Sequence, residues 1–561
     1  MLPQPELRSD LVLVGGGHSH ALVLRMLAMD PLPGVRVTLI SPDSHTPYSG
    51  MLPGLIAGHY SFEDTHIDLA RLCQWAGVRF IQAPVTALDP AARWLSLPDR
   101  PAIAYDIVSL DIGSQPELDS VPGAREHATP VKPVSGLWRR WQQLEARFAG
   151  GAGAAPVRIG VVGGGAGSVE IALAVAHRLG QRAQVALWCG SAHILEGYNG
   201  RARSAVMRAL ARRGITVHLG ARVQEVGEGE LQTVDARRGE FDELFWCTGA
   251  SAAPWVADSG LATDARGFLS VDASLQSPDD PRVFGAGDIV TQLHDPRPKA
   301  GVYAVRQAPV LGHNLRAALT QRPLRPYRPQ DRFLSLLSLG DRQAVADRGL
   351  FSASGAWVWR WKDRIDREFM TRFSRLPPMR APAPTARTAE HGQEQPPCGG
   401  CGAKVSADAL ASALAALAVQ FPEHCTGTGD DAAEIPAGGS APVLQSVDVL
   451  RPLVADPYLM GRIAANHALS DLFASGARPV SALAAVTLPL AAPALLQREL
   501  QQLLAGALRE FAAVDCVLNG GHSMQGPELQ LGFTVNGVAA RDDGRLLRKT
   551  GARVGDALLL T

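Results

Sequence analysis

Two short stretches of this chain read almost alike: "DLVLVGGGHSH" at residues 10–20 and "RIGVVGGGAGS" at 158–168. Each is a short apolar run that enters three glycines and leaves into a helix-compatible stretch. That is the pattern of a buried strand, a tight turn and a helix opening a βαβ unit. Glycine is needed there because backbone N–H groups must approach a pyrophosphate closely at the positive end of the following helix. Neither fingerprint is complete. The first turn has Gly15 and Gly17 but His20 where a third glycine is expected, and the second has Gly163 and Gly165 but Ser168. The acidic residue that would hold a ribose is absent from "VTLISPDS", where Ser41 takes its place and Asp43 is a substitute.

With 561 residues, the chain has length for three or four domains. Its 54 basic side chains balance 54 acidic ones, so there is no nucleic-acid footprint and small molecules are the expected partners. Seven cysteines over this length make no secreted disulfide framework, and "MLPQPELRSD" lacks the basic start and apolar stretch of a signal peptide. A reducing, cytoplasmic setting is expected. No run of about 18 uncharged apolar residues occurs, which argues against a spanning helix and leaves peripheral membrane contact open.

Taken with "CTGA" at 247–250 and "VFGAGDIV" at 283–290, the two turns resemble the two-dinucleotide-binding-domain flavoproteins, and among them the type II NADH dehydrogenases. The resemblance spans most of residues 8–325. It implies two Rossmann-like domains in an α/β fold: an FAD-binding domain in two parts, 1–115 and 279–325, around an NAD(P)H-binding domain at 116–278. Residues 326–376 would form a C-terminal interface region. By the same resemblance Gly15 and Gly17 hold the FAD pyrophosphate, and Gly287 with Asp288 brings a carboxylate to the ribityl chain. Gly163 and Gly165 hold NADH or NADPH, with Glu170 of "GSVEIA" on the following helix. Asp288 can at the same time cap a helix. No Cys-x-x-x-x-Cys pair follows the first turn, which disfavours the disulfide-reductase branch. Electrons would then pass from nicotinamide through flavin to an external acceptor. His18, His20, Cys73, Cys189 and Cys247 are candidates for groups near the flavin, although single residues of these types more often pack or face solvent.

Residues 297–316, "RPKAGVYAVRQAPVLGHNLR", resemble the segment that covers the flavin ring in these dehydrogenases. In "GAWVWRWKDRIDREFMTRF" at 355–373, Trp357, Trp359 and Trp361 alternate before apolar and basic residues mix. That pattern fits a helix on a membrane surface near a quinone, and equally a core or a dimer contact. Residues 377–397, "PPMRAPAPTARTAEHGQEQPP", show neither helical nor strand periodicity and read as an extended linker.

Beyond it, "CGGCGAKVSADAL" at 398–410 sets a Cys-x-x-Cys pair three residues before a lysine. A structural zinc site needs four ligands, usually in two paired elements, and the downstream Cys425, Cys516, His424, His467 and His522 are scattered. A thioredoxin-like pair belongs at a strand-to-helix junction, whereas this one follows a linker and precedes the alanine-rich "SADALASALAALAVQ". There remains a thiol nucleophile beside a cation. Downstream, "GTGDDAAEI" at 427–435, residues 446–479 and "NGGHSMQGPE" at 519–528 carry isolated carboxylates and a glycine turn. Such carboxylates suit Mg²⁺, which takes a few oxygen ligands and borrows the rest from water and phosphate. Each would serve as well as a helix cap.

Residues 398–561 resemble the N-terminal half of selenophosphate synthetase (selenide, water dikinase), an ATP-using member of the PurM-like superfamily with an α+β N-terminal domain. The match of "GCGAK" implies Cys401 as nucleophile and Lys404 as an ATP-contacting lysine. Ala403 replaces the family's second cysteine, Cys398 lies outside the pattern, and His467 replaces an asparagine. The resemblance also implies Asp431 and Asp471 as Mg²⁺ ligands. Thr428, Asp430, Asp448, Asp471, Gly521, His522 and Ser523 fall at the ATP site. Full-length members continue into a C-terminal α/β half, and "GDALLLT" stands about where that half would begin. The expected whole is a fusion: an FAD-dependent NAD(P)H oxidoreductase that supplies reduced selenium to a dikinase making selenophosphate, AMP and phosphate from ATP, selenide and water. The alternative is an NADH:quinone oxidoreductase with an inactive or dimerising PurM-like remnant. A homodimer is expected in either case.

Overall fold

The computed structural model describes residues 6–148, 155–377, 432–435, 442–540, 545–548, 551, 553–557 and 559. Apart from Pro377, the expected linker lies outside them, as do Cys398, Cys401, Lys404, Thr428, Asp430 and Asp431.

Strands β1 (Ser9–Val14), β2 (Val35–Ser41), β3 (Arg79–Gln82) and β4 (Ile107–Leu110) are all parallel, with β1 between β2 and β4. Leu11 to Val14 are at most 1% exposed, as expected of a strand covered on both faces. The chain then builds a second parallel sheet from β5 (Thr129–Pro130), β6 (Val157–Val162), β7 (Ala183–Trp188), β8 (Thr216–His218) and β9 (Glu243–Trp246), in the order β5–β9–β6–β7–β8. Strand β10 (Val283–Gly285) returns to the first sheet beside β4, giving the order β10–β4–β1–β2–β3. In both sheets the strand that enters the glycine turn lies where the strand order reverses, so a crevice opens beyond its carboxyl end.

The return to the first unit begins earlier than the expected boundary at 278. Val256, Phe268, Leu269 and Leu275 are fully buried in the core of the first sheet, because Leu269–Val271 pairs with Val290–Gln292 there. Helices α1 (His18–Met29) and α2 (Ala166–Leu179) follow the two turns. Helix α3 (Gly301–Leu319) covers α1, and Ser19 Oγ donates to the Ala304 carbonyl at 2.8 Å. A three-stranded antiparallel sheet, β11 (Ser335–Ser338), β12 (Ala344–Arg348) and β13 (Phe351–Gly355), leads into α4 (Ala356–Ser374).

The third unit has β14 (Ala433–Ile435), β15 (Val443–Leu450), helix α5 (Pro457–Ala474), β16 (Ala477–Leu488), helix α6 (Pro493–Ala512), β17 (Val517–Gln525) and β18 (Gln530–Ala539). Its sheet runs β14–β15–β18–β16–β17. Leu469, Leu472, Leu503, Phe511 and Phe533 form the core between sheet and helices. The helices touch backbone to backbone: a Cβ on Gly461 would meet the Leu503 carbonyl oxygen at 1.9 Å, and one on Gly506 the Tyr458 carbonyl oxygen at 2.0 Å. On the other face of the sheet Val447, Val449 and Leu483 are exposed.

Candidate functional site

At the first turn Gly15 has φ +92°, and a Cβ there would overlap the Asp111 carbonyl. Sequence reasoning missed Asp111, whose carboxylate fills the centre of the turn. A Cβ on Gly17 would stand 2.2 Å from its carboxyl carbon, and one on Gly287 2.4 Å from its Oδ1. The His20 backbone N–H donates to Asp111 Oδ2 at 3.0 Å, so this acid caps α1 from the end of β4. Burial pushes its carboxyl up to about 7; the His20 amide opposes the shift and the charge of Asp288 adds to it. His20 takes the third glycine's place as a buried ring, with Nδ1 at 2.8 Å from the Gly15 carbonyl and Nε2 at 2.8 Å from Ser109 Oγ. Burial pulls its pKa down to about 4, so the ring is neutral and structural.

Asp288 follows Gly287, whose φ is +72°. Its Oδ2 accepts from Lys132 Nζ at 2.9 Å and from Ser114 Oγ at 3.3 Å, and it borders a cavity lined also by Lys299, Tyr303 and Gln307. Burial brings the Lys299 ammonium down to about 8. His18 reaches the Pro47 carbonyl at 3.2 Å and packs its ring against Tyr48 and Phe369, and burial lowers its pKa. Of the expected flavin neighbours, Cys73 is in the core under the first sheet and Cys189 and Cys247 belong to the second unit.

In the second turn Gly163 has φ +140°, and Ser168 Oγ donates back to the Gly165 carbonyl at 2.8 Å. A Cβ on Gly164 would strike Cys189 Sγ at 2.3 Å, whereas one on Gly165 or Gly167 would meet nothing within 4 Å. Space for a dinucleotide backbone is open there. Glu170 does not point into this space: its Oε1 accepts from the Ser338 N–H of β11 at 2.7 Å. Burial pushes its carboxyl up to about 7, countered by Lys362 on α4. Lys362 is itself buried, donating to Asp366 Oδ2 at 2.5 Å and to the Gly50 carbonyl at 2.6 Å. Tyr48 bonds to Asp366 as well. This Glu170–Lys362–Asp366–Tyr48 group braces the second turn's helix against the first unit. An i,i+4 Lys–Asp pair is visible in the sequence but normally reads as a solvated helix face.

In the third unit Asp448 and Ser446 alternate on the helix-facing side of β15. Ser446 Oγ donates to Asp471 Oδ2 of α5 at 2.7 Å, and His467 Nε2 stands 3.9 Å from Asp448 Oδ1. Strand pairing places Asp448, Phe533, Ala484 and Gly521 in one row. At about 4.8 Å per strand, Gly521 stands roughly 14 Å from Asp448. The structure therefore sets Asp448 against His467 and Asp471 against Ser446 across the facing β15 and α5, and leaves Gly521, His522 and Ser523 on the far edge strand, exposed. No group of three or more His, Cys, Asp or Glu placed to hold a metal ion occurs among the described residues. Two carboxylates and a hydroxyl fit an ion that takes most of its shell from water and phosphate, as Mg²⁺ does, and do not form a closed cage.

Comparison with known proteins agrees with this division. The family described as pyridine nucleotide-disulphide oxidoreductase matches residues 9–308, and the AIR synthase related protein N-terminal domain matches residues 429–539. The chain is 26% identical over 353 residues to demethylphylloquinone reductase NdbB of a Synechocystis species, covering 60% of this chain and 86% of that protein. It is 38% identical over 167 residues to the selenide, water dikinase of Myxococcus xanthus, covering 29% of this chain and 46% of that protein. It thus spans about half the length of the dikinases it matches. The structure of sulfide:quinone oxidoreductase from Aquifex aeolicus superposes with a TM-score of 0.55 at 20% identity, over 65% of this chain and 92% of that one, a likeness of fold. Two enzyme-type regions therefore lie end to end in one chain.

Proposed function

The chain belongs to the pyridine nucleotide-disulphide oxidoreductase family, and from that premise we propose an FAD-dependent NAD(P)H oxidoreductase joined to an ATP- and selenide-handling domain. The observation that carries the first part is the meeting of Gly15–Gly17, Asp111 and Gly287–Asp288 at the carboxyl ends of β1, β4 and β10. There the backbone of Gly15 and Gly17 takes the FAD pyrophosphate, and Asp288, oriented by Lys132 and Ser114, takes the ribityl hydroxyls. Asp111, with its carboxyl raised to about 7, holds a proton below neutrality and so limits like-charge repulsion beside a phosphate. The backbone of Gly163 and Gly165 takes NADH or NADPH. FAD supplies the two-electron acceptor for the hydride. Glu170, held dry against Lys362, retains a proton near neutral pH.

In the last region the proposal is the chemistry of selenide, water dikinases: γ-phosphoryl transfer from ATP to selenide, with the remaining ADP hydrolysed to AMP and phosphate. Cys401 handles selenium, and Lys404 sets a fixed cation by the phosphates and favours the thiolate. Asp431 and Asp471 hold Mg²⁺. Thr428, Asp430, Asp448, Gly521, His522 and Ser523 serve ATP. The placement of Asp448 on β15 and of Asp471 on the facing helix α5 supports this reading. The separation of Gly521, His522 and Ser523 from them requires that ATP span the sheet, or that those three act elsewhere. A shared purpose follows from selenium chemistry, since the dikinase needs selenide and a flavoprotein delivers reducing electrons. The test is anaerobic incubation of the full chain with Mg-ATP and selenide, read by phosphorus NMR beside Cys401→Ala. Selenophosphate that vanishes in the variant supports the proposal; its absence from both removes the dikinase part.

A second reading is quinone reduction at a membrane surface. Helix α4 supports it: Trp357 and Trp361 stack with ring centroids 6.4 Å apart, both exposed, and Ile365 one turn further on is exposed as well. No helix among the described residues is long and apolar enough to cross a membrane, so contact there would be peripheral. Flotation with anionic vesicles, lost in Trp357→Ser/Trp361→Ser, checks it.

A further inference from the structure

Helix α6 has two interior faces. One carries Leu503, Ala507 and Phe511 into the core of the third unit. The other carries Arg498, Glu499 and Gln502 onto the amino ends of the first parallel sheet. Glu499 accepts from Arg36 of β2 at 2.7 Å and from Arg79 of β3 at 2.7 and 2.9 Å. Arg498 donates to Asp10 of β1 at 2.8 Å and to Asp106 at 3.2 Å. Arg36 closes the ring by holding Asp10 at 2.6 and 2.9 Å.

Beside this ring Arg100 clamps Asp456, the N-cap of α5, through two bonds of 2.7 and 2.9 Å. It lies 4.9 Å from the Tyr458 ring centroid. Gln502 donates to the carbonyls of Pro101 and Ala102, and Tyr458 donates its hydroxyl to the Asp99 carbonyl at 2.7 Å. Leu7 and Ala491 form a parallel bridge, with Ala492 N–H donating to the Leu7 carbonyl at 2.7 Å.

Four arginines and four carboxylates pair here, on side chains as little as 5% exposed for Asp10 and Arg100. Asp10, Arg36, Arg79, Arg100 and Asp106 present one net positive charge to the one net negative charge of Asp456, Arg498 and Glu499. Desolvated charges persist only with matched geometry, since an unpaired one is severely unfavourable. A flexible tether would select no such match.

We infer that the two halves are docked as a single body, with helix α6 as the occupant of a surface that the amino ends of β1, β2 and β3 provide. The dock sits at the opposite pole of the first sheet from the glycine turn, about 17 Å away along β1. Helix α5 starts at the dock and carries Asp471 roughly 20 Å farther along its axis. A consequence that rests on the proposed function is that reduced selenium reaches the second site through solvent or on a carrier, not through the joint.

The test uses the full chain with a protease site inserted between residues 378 and 397. After cleavage the two pieces are expected to elute together in size exclusion at physiological ionic strength, and Glu499→Lys is expected to weaken their association at least about a hundredfold. Separation of the wild-type pieces as readily as those of the variant would overturn the inference. A second measurement stands if Glu499→Lys misfolds: Leu7→Cys with Ala491→Cys, in the uncut chain under mild oxidation, should give a disulfide-linked peptide by mass spectrometry, and its absence would overturn the dock. Neither readout depends on turnover, so failure here is distinct from failure of the proposed function.

Discussion

At the end of β1 the place of a third glycine is taken by His20, a neutral ring held at both nitrogens, whereas at the end of β6 it is taken by Ser168, which turns back onto the Gly165 carbonyl. The first turn is closed from below by a carboxylate packed against Gly17 and Gly287; the second leaves Gly165 and Gly167 open. Two stretches of sequence with the same pattern thus build two different cradles. One is packed by the protein itself and suits a group that stays bound. The other leaves room that, on the proposed function, a coenzyme enters and leaves.

The brace between the turns offers the largest test. Lys362→Met leaves the buried Asp366 without its cation, and loss of one partner of a buried pair is expected to cost about 3–5 kcal/mol. Tm and flavin retention should both fall; unchanged values would mean that the two turns are not tied through α4. Next, Gly17→Ala forces a methyl group into the Asp111 carboxylate and should destabilise the first cradle by about 3 kcal/mol, seen as loss of bound flavin on gel filtration.

A third comparison is titration. The Asp111 carboxyl lies near 3.8 in the unfolded chain and is raised to about 7 in the folded one. Between those values the folded state holds the extra proton. Its contribution is fully present below about pH 4 and is lost as pH rises through 7, by at most about 1.4 kcal/mol per pH unit. Asp111→Asn should flatten that part of the Tm-against-pH curve; an unchanged slope would place the acid's proton elsewhere. The smallest effect is expected of Gly165→Ala. It should alter stability by less than about 0.5 kcal/mol while raising KM for NAD(P)H, because the methyl group occupies room meant for phosphate. A flavin loss equal to that of Gly17→Ala would erase the contrast.

Both βαβ openings were legible because a buried parallel strand must be continuously apolar and a close turn must be glycine. Gly287 stands beside the first turn, its α-carbon close to the Asp111 carboxylate. What the sequence left hidden depends on distant pairings. Asp111 reads as one acid after an ordinary strand until β4 pairs with β1. Lys362 and Asp366 fall in a stretch read as a membrane-surface helix or a core or dimer contact, and their burial shows only once α4 folds back over Gly50. Glu170 seemed to belong to the coenzyme and is instead engaged by Ser338, and residues 252–275 joined the first core against expectation. The arginine ring at the dock was invisible for the same reason, since charges that balance over the whole chain give no hint of where they meet.

The measurement closest to the central claim is an anaerobic titration of the purified full chain with NADH and, separately, NADPH, following the visible absorbance of its flavin. The account predicts a chain that carries FAD and is bleached by one equivalent of at least one coenzyme, with Gly165→Ala needing more coenzyme and Gly17→Ala carrying little flavin to bleach. A chain that retains FAD but is reduced by neither coenzyme would contradict it.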